Sequence, residues 1–114
     1  MSRESDAVLR YYRCFRERDR EGLRALLTPD FHHVGSFGEH TDRDEMIERI
    51  WPGVGRSWAE DIAVYGDGGD LMVHYTIRSH ERPPTRMAER LRFRGDRIAA
   101  VEVFIGRAIE GAAG

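Results

Sequence analysis

The chain contains no lysine, no asparagine and no glutamine, and it has a single cysteine. Each absence removes chemistry. Without lysine there is no Schiff-base nucleophile and no phosphate-cradling lysine of the Walker kind. Without asparagine or glutamine, no side-chain amide can steady an oxyanion. Any such donor must be tyrosine, serine, threonine, histidine, arginine, a backbone N–H or a protonated acid. One cysteine, Cys14, excludes an internal disulfide and any zinc site built on paired cysteines; it reads as a small buried hydrophobe. All 18 basic side chains are arginine, a bias that a GC-rich genome alone would produce. There is no long apolar run and no leader-like segment, so the chain reads as cytoplasmic and without a membrane partner.

What is present fits one soluble domain spanning 1–114, with 40% hydrophobic and 33% charged residues. A domain of this size buries about two-thirds of its unfolded surface, enough for one core and one pocket. A net charge of −2 offers no general field for nucleic acid. The arginines of 90–97 alternate with core-type residues and are balanced by acids, so they do not make a nucleic-acid patch.

Apolar spacing predicts a first helix over Ser5–Asp19, with Val8, Tyr11, Tyr12 and Phe15 on one stripe. A short second helix runs from Arg20 to Leu27 and is closed by Pro29. Phe31–Phe37 reads as a strand. A third helix follows, with Asp42 as its cap, Glu45 as the reciprocal partner, and Met46, Ile47, Ile50 and Trp51 as its apolar stripe. The rest reads as sheet: Trp58–Tyr65, Leu71–His80, Met87–Arg94 and Ile98–Gly106, with turns at 66–69 and at Gly95-Asp96. Ala108–Gly114 reads as a frayed tail. Helices first and an antiparallel meander second argue an α+β fold.

Alternation sorts the strands into faces. Arg90, Arg92 and Arg94 share the outer face, leaving Met87, Glu89, Leu91 and Phe93 inward. Val101, Val103 and Ile105 alternate with Glu102 and Phe104, and Glu102 can pair across the sheet with Arg90 or Arg92. On Leu71–His80 one face is apolar, with Val73, Tyr75 and Ile77 read as packing. The other carries Met72, His74, Thr76 and Arg78, and is either solvated or the lining of a polar cavity. Trp51 and Trp58 read as lining or covering an open end.

Three stretches in this order resemble the nuclear-transport-factor-2-like superfamily, especially its SnoaL-like and ketosteroid-isomerase-like members. They are LRYYRCFRERDREGLRALLTPDF (9–31), GEHTDRDEMIERI (38–50) and ERLRFRGDRIAAVEVFIG (89–106). The resemblance covers nearly the whole chain. It implies a cone-shaped curved antiparallel sheet, with three helices from the N-terminal half enclosing an apolar pocket, and a homodimer formed through the outer sheet face. Aligned from Asp30, the resemblance turns His33 into the pocket with Phe31; aligned from Arg43-Asp44 it turns His32 inward. His33 is preferred, because its spacing leaves less room for gaps. The position of His74 resembles a pocket-facing one, and this would bring Met72 and Thr76 into the lining.

In ketosteroid isomerases an acid and a first-helix tyrosine form the oxyanion hole. The resemblance places Glu89 and Tyr11 there, with Tyr12 as the alternative tyrosine. The general-base aspartate of that family is unmatched, since its place falls near Gly35, and His33 or His74 would serve instead. An epoxide-hydrolase set is not matched: its positions hold Thr76, His74 and Val103. The expected lining adds Phe15, Phe31, Leu91, Val101 and Val103. His32, His33 and His40 fit no metal-ligand spacing, so neither metal nor cofactor is expected. The expected ligand is a small hydrophobic carbonyl compound, and the expected chemistry is proton transfer beside its carbonyl: isomerisation, dehydration or cyclisation. The competing reading is a non-catalytic binding or dimerisation module, in which the tyrosine stripe is core.

Overall fold

The computed structural model describes residues 3–108, with side chains through Gly106. The chain opens with α1 (Arg3–Glu17) and α2 (Arg20–Leu26). Val8, Tyr11, Tyr12 and Cys14 form the buried stripe of α1, with Glu4 and Asp6 in its first turn and Arg16 in its last. That charge order complements the helix dipole. Arg18 takes a left-handed conformation (φ 55°) to break α1. Asp19 then caps α2 by accepting from Gly22 N at 2.9 Å.

Strand β1 (Leu27–Val34) follows α2 directly and pairs antiparallel with a three-residue β2 (His40–Asp42). Helix α3 (Arg43–Ile50) starts in the expected capping box. Glu45 N donates to Asp42 Oδ1 at 2.8 Å, and the Glu45 carboxylate accepts from Asp42 N. One 3₁₀ turn (Trp51–Gly53) ends it. The meander is β3 (Ser57–Asp67), β4 (Asp70–Ser79), β5 (Thr85–Arg94) and β6 (Arg97–Ala108). Gly95, at φ 65°, supplies the positive dihedral that the tight β5–β6 turn requires. The tail read over 108–114 lies outside the described residues, apart from Ala108, which is still strand.

All six strands form one curved sheet in the order β2-β1-β6-β5-β4-β3. The sheet is mixed rather than wholly antiparallel, because β1 runs parallel to β6, with His33 opposite Val101. Alternation within the meander cannot reveal that junction. β3 carries a bulge between Glu60 and Ala63, where Asp61 sits at φ 55°. The helices lie over the concave face. The core beneath them includes Leu23, Leu27, Phe31, Ile47, Leu71, Leu91, Ile98 and Val101, all fully buried. Each such side chain contributes about 1.5–3 kcal/mol by leaving water. Among the described residues no helix is long and apolar enough to cross a membrane.

Candidate functional site

A cavity of about 360 Å³ opens between α1, α3 and the concave face. Helix α1 contributes Tyr11, Tyr12 and Phe15; α3 contributes Met46 and Ile50; β3 and β4 contribute Trp58, Ala59, Tyr75 and Ile77. The polar groups among these apolar walls are few, which is the usual make-up of a small-molecule site.

Glu89 is the central one. It sits on the concave face of β5 between Val73 and Val103 in register, and it is only 6% exposed. Tyr12 donates to its Oε1 at 2.5 Å, and Tyr75 donates to its Oε2 at 2.9 Å. Burial raises the Glu89 pKa, while the two tyrosine bonds act to lower it and only partly offset burial. Burial and the neighbouring acid raise both tyrosines as well, so they are neutral O–H donors at any ordinary pH. Tyr11 packs edge-on against Tyr12 and Phe15, with ring centroids 5.2 and 4.9 Å away.

The arrangement has a useful chemical property. When Glu89 is protonated, one carboxyl oxygen becomes a donor, and the tyrosine facing it must accept. That tyrosine's own O–H is then free to turn into the cavity. A buried acid and two tyrosines together can thus present one O–H donor to a ligand oxygen without exposing a charge.

His33 lines the same cavity from β1. Burial lowers its pKa, with Glu39 pulling the other way, so its imidazole is biased toward the neutral, proton-accepting form. Strand β6 lies between β1 and β5, so His33 and Glu89 stand two strand spacings apart, about 10 Å across the sheet. A small molecule is needed to connect them.

The SnoaL-like domain model matches residues 8–101. The chain belongs to the SnoaL-like domain family. Its shape is similar to that of a candidate ketosteroid isomerase from Kribbella flavida DSM 17836 (TM-score 0.83, 16% identity, covering 98% of this chain and 84% of that one). It is also similar to IdmH, a candidate polyketide cyclase from Streptomyces antibioticus (TM-score 0.79, 18% identity, 91% and 92% covered). An NTF2-like protein of unknown function from Burkholderia xenovorans LB400 gives a TM-score of 0.79 at 14% identity, with 97% and 88% covered. At such identities the likeness is one of fold. A comparison with curated protein sequences finds no match.

Within this SnoaL-like domain, Tyr11, His33 and Glu89 line one cavity, but the first-helix tyrosine bonded to Glu89 is Tyr12 and not Tyr11, and His74 lies elsewhere. His74 lies on the convex face, where Arg86 Nη2 approaches its Nδ1 at 2.7 Å and Tyr65 Oη lies 3.2 Å from its Nε2. A guanidinium only donates, so Nδ1 holds the lone pair and Nε2–H donates to Tyr65. Met72 and Thr76 share that face. Met72 is 41% exposed, and Thr76 is buried beneath Arg86, which donates to its hydroxyl. The expectation that this polar row lines the pocket is therefore corrected. Alternation separates the two faces of a strand but does not say which polar face meets solvent.

Trp51 is also outside the cavity; Arg18 and Arg20 lie over its ring, 5.9 and 5.4 Å from the centroid. Arg18 additionally donates to Val54 O, pinning the loop beside the cavity. Phe31, Leu91 and Val101 belong to the packed core rather than to the cavity wall, and Val103 packs partly buried against it. His32 points outward, its Nε2 lying 2.7 Å from His40 Nδ1. Among the described residues no group of three or more possible ligands is placed to hold a metal ion. The residue that sequence reasoning missed is Tyr75. Its place in an apolar alternation reads as packing, and its partner Glu89 is diagonal to it across the β4–β5 pair.

Proposed function

We propose that this SnoaL-like domain binds a small, mostly apolar carbonyl compound and moves a proton on the carbon next to that carbonyl. The observation that carries the reading is the Tyr12–Glu89–Tyr75 cluster in the cavity to which His33 also contributes. The ligand carbonyl accepts the released tyrosine O–H, which stabilises negative charge as it develops on oxygen. His33, neutral and across the cavity, takes the proton from carbon. Isomerisation, dehydration and cyclisation all begin with this step.

A substrate-independent test is available. A panel of cyclic ketones is incubated with the protein in deuterated water, and α-hydrogen exchange is followed by NMR. The expected outcome is exchange above background for at least one ketone, reduced by about 10²–10⁴ in His33→Ala. Ketone binding without exchange sinks the catalytic reading. It would favour the second reading, a binding-only pocket, for which one observation speaks: both Glu89 oxygens are already engaged by tyrosines.

We also propose that two copies pair through the convex sheet face. Tyr65, Met72 and Phe104, on three strands around one shallow hollow, are 57, 41 and 43% exposed there, and a contiguous apolar patch of this kind marks an interaction surface. A reducing, cytoplasmic setting fits the single buried thiol of Cys14.

A further inference from the structure

The concave face does not end at the cavity. Beyond Gly53, Ser57 and Ile77 it continues into a groove of about 550 Å³, and these three residues line both spaces. The floor of the groove is apolar, made by Ile77, Met87 and Ile105, and Ile105 is 51% exposed. Its rim is basic, with Arg56, Arg78 and Arg82. Arg78 is paired with Glu60 at 2.6 Å. Arg56 and Arg82 are exposed and make no side-chain ion pair or hydrogen bond among the described residues. Among the described residues Glu81 is the one acid in the lining. Ser79 Oγ accepts from the backbone N–H groups of Glu81 and Arg82 at 3.2 and 3.0 Å, which anchors the turn that carries Arg82.

An apolar floor with free guanidiniums at its edge suits a chain that ends in an anion. Guanidinium forks engage carboxylate and phosphate oxygens in pairs, and the contact is charge-assisted. Among the described residues the neighbouring cavity, by contrast, has no arginine in its lining: its polar groups are tyrosines, a tryptophan, a serine, a histidine and the buried Glu89. Among the described residues an anion meets no guanidinium in the cavity and two unpaired ones in the groove.

We infer that the ligand is an elongated amphipath, its carbonyl end in the tyrosine-lined cavity and a carboxylate or phosphate on its other end held at Arg56 and Arg82. The inference rests on the reading of the cavity given above and adds the substrate class. A neutral, compact ketone would leave the groove empty, whereas an acyl chain with an anionic terminus would fill both spaces.

Three probes test it: p-hydroxyphenylpentanoate, its neutral methyl ester, and p-hydroxyphenylpentyl phosphate. Each carries a phenol as a stand-in for an enol, and binding is measured by calorimetry. The expected result is that the acid or the phosphate binds about tenfold more tightly than the ester, as a charge-assisted pair would give. The advantage should shrink as salt is raised. It should also vanish in the Arg56→Gln/Arg82→Gln double variant, which keeps wild-type affinity for the ester. Preference for the acid over the phosphate, or the reverse, identifies which anion the groove takes. Equal binding of all three probes, or an anion advantage that survives the double variant, overturns the anion subsite and leaves the cavity reading intact. Failure of all three to bind removes the cavity reading, and the subsite with it.

Discussion

Tyr12 on the first helix and Glu89 on the fifth strand, 77 positions apart, share a 2.5 Å hydrogen bond inside the protein. The bond ties α1 to the centre of the sheet. It also gives the carboxyl group one of its two polar partners, the other being Tyr75.

Removing that carboxyl should therefore cost stability as well as function. In Glu89→Leu two tyrosine hydroxyls lose their partner, each at about 1–3 kcal/mol when buried. Glu89→Gln keeps an oxygen and an NH₂ group of the same shape and should cost well under half as much. Urea unfolding of the two variants measures the difference. Equal stability would show that the cluster is not part of what holds the helix to the sheet.

The same groups set opposite pH slopes. Burial holds Glu89 above its ordinary range, so the folded state binds its proton more tightly than the unfolded chain, where glutamate titrates near ~4.3. Its contribution is fully present below that unfolded value and is lost as pH rises through the folded value. The stability of wild type relative to Glu89→Gln should therefore fall over this window as pH increases. His33 is shifted down. Its contribution is present above about 6.5 and is lost as pH falls through the folded value. Wild type relative to His33→Ala should accordingly lose stability on acidification below about 6.5. Thermal or urea unfolding from pH 4 to 8 reads both slopes, and a Glu89 slope of the opposite sign would mean that the tyrosines hold it ionised.

If two copies meet on the convex face, a charge there should separate them. Met72→Asp is expected to weaken self-association at least about tenfold, since an unpaired carboxylate would be buried on pairing. The monomer should stay within about 0.5 kcal/mol of wild type, as for other exposed positions. Light scattering across a concentration series gives the mass. A wild-type protein that is monomeric throughout removes the proposal.

The cap of the third helix lies outside the cavity but steadies part of its wall. Asp42→Ala removes the acceptor for Glu45 N and should cost about 0.5–2 kcal/mol by urea unfolding. Met46 and Ile50 project from this helix into the cavity wall, so ligand affinity should weaken in parallel with the fraying.

Much of this was legible in one sequence, and the gaps have physical causes. The capping box is a local pattern, and Asp42 and Glu45 form it as read. Alternation alone turns Glu89 inward, because three arginines must face out. Alternation could not choose the side for His74, since polar rows line solvent and polar cavities alike. Nor could it show Tyr75 as a partner of Glu89, because that contact crosses between strands. The bulge at Asp61 and the three-residue β2 depend on tertiary pairing and leave little local signal.

The parallel pairing of β1 with β6 has a kinetic consequence. The β3–β6 meander is built from neighbouring hairpins and can assemble from nearby contacts. β1 cannot join until β6 exists, because Leu27 must find Ile98 and His33 must find Val101. Closing that long loop is the entropically slow step. During synthesis, β1 can pair with β2 but must wait for its second neighbour until β6 has emerged. The wall that carries His33 is therefore completed last, and the cavity comes into existence only when the two ends of the fold meet.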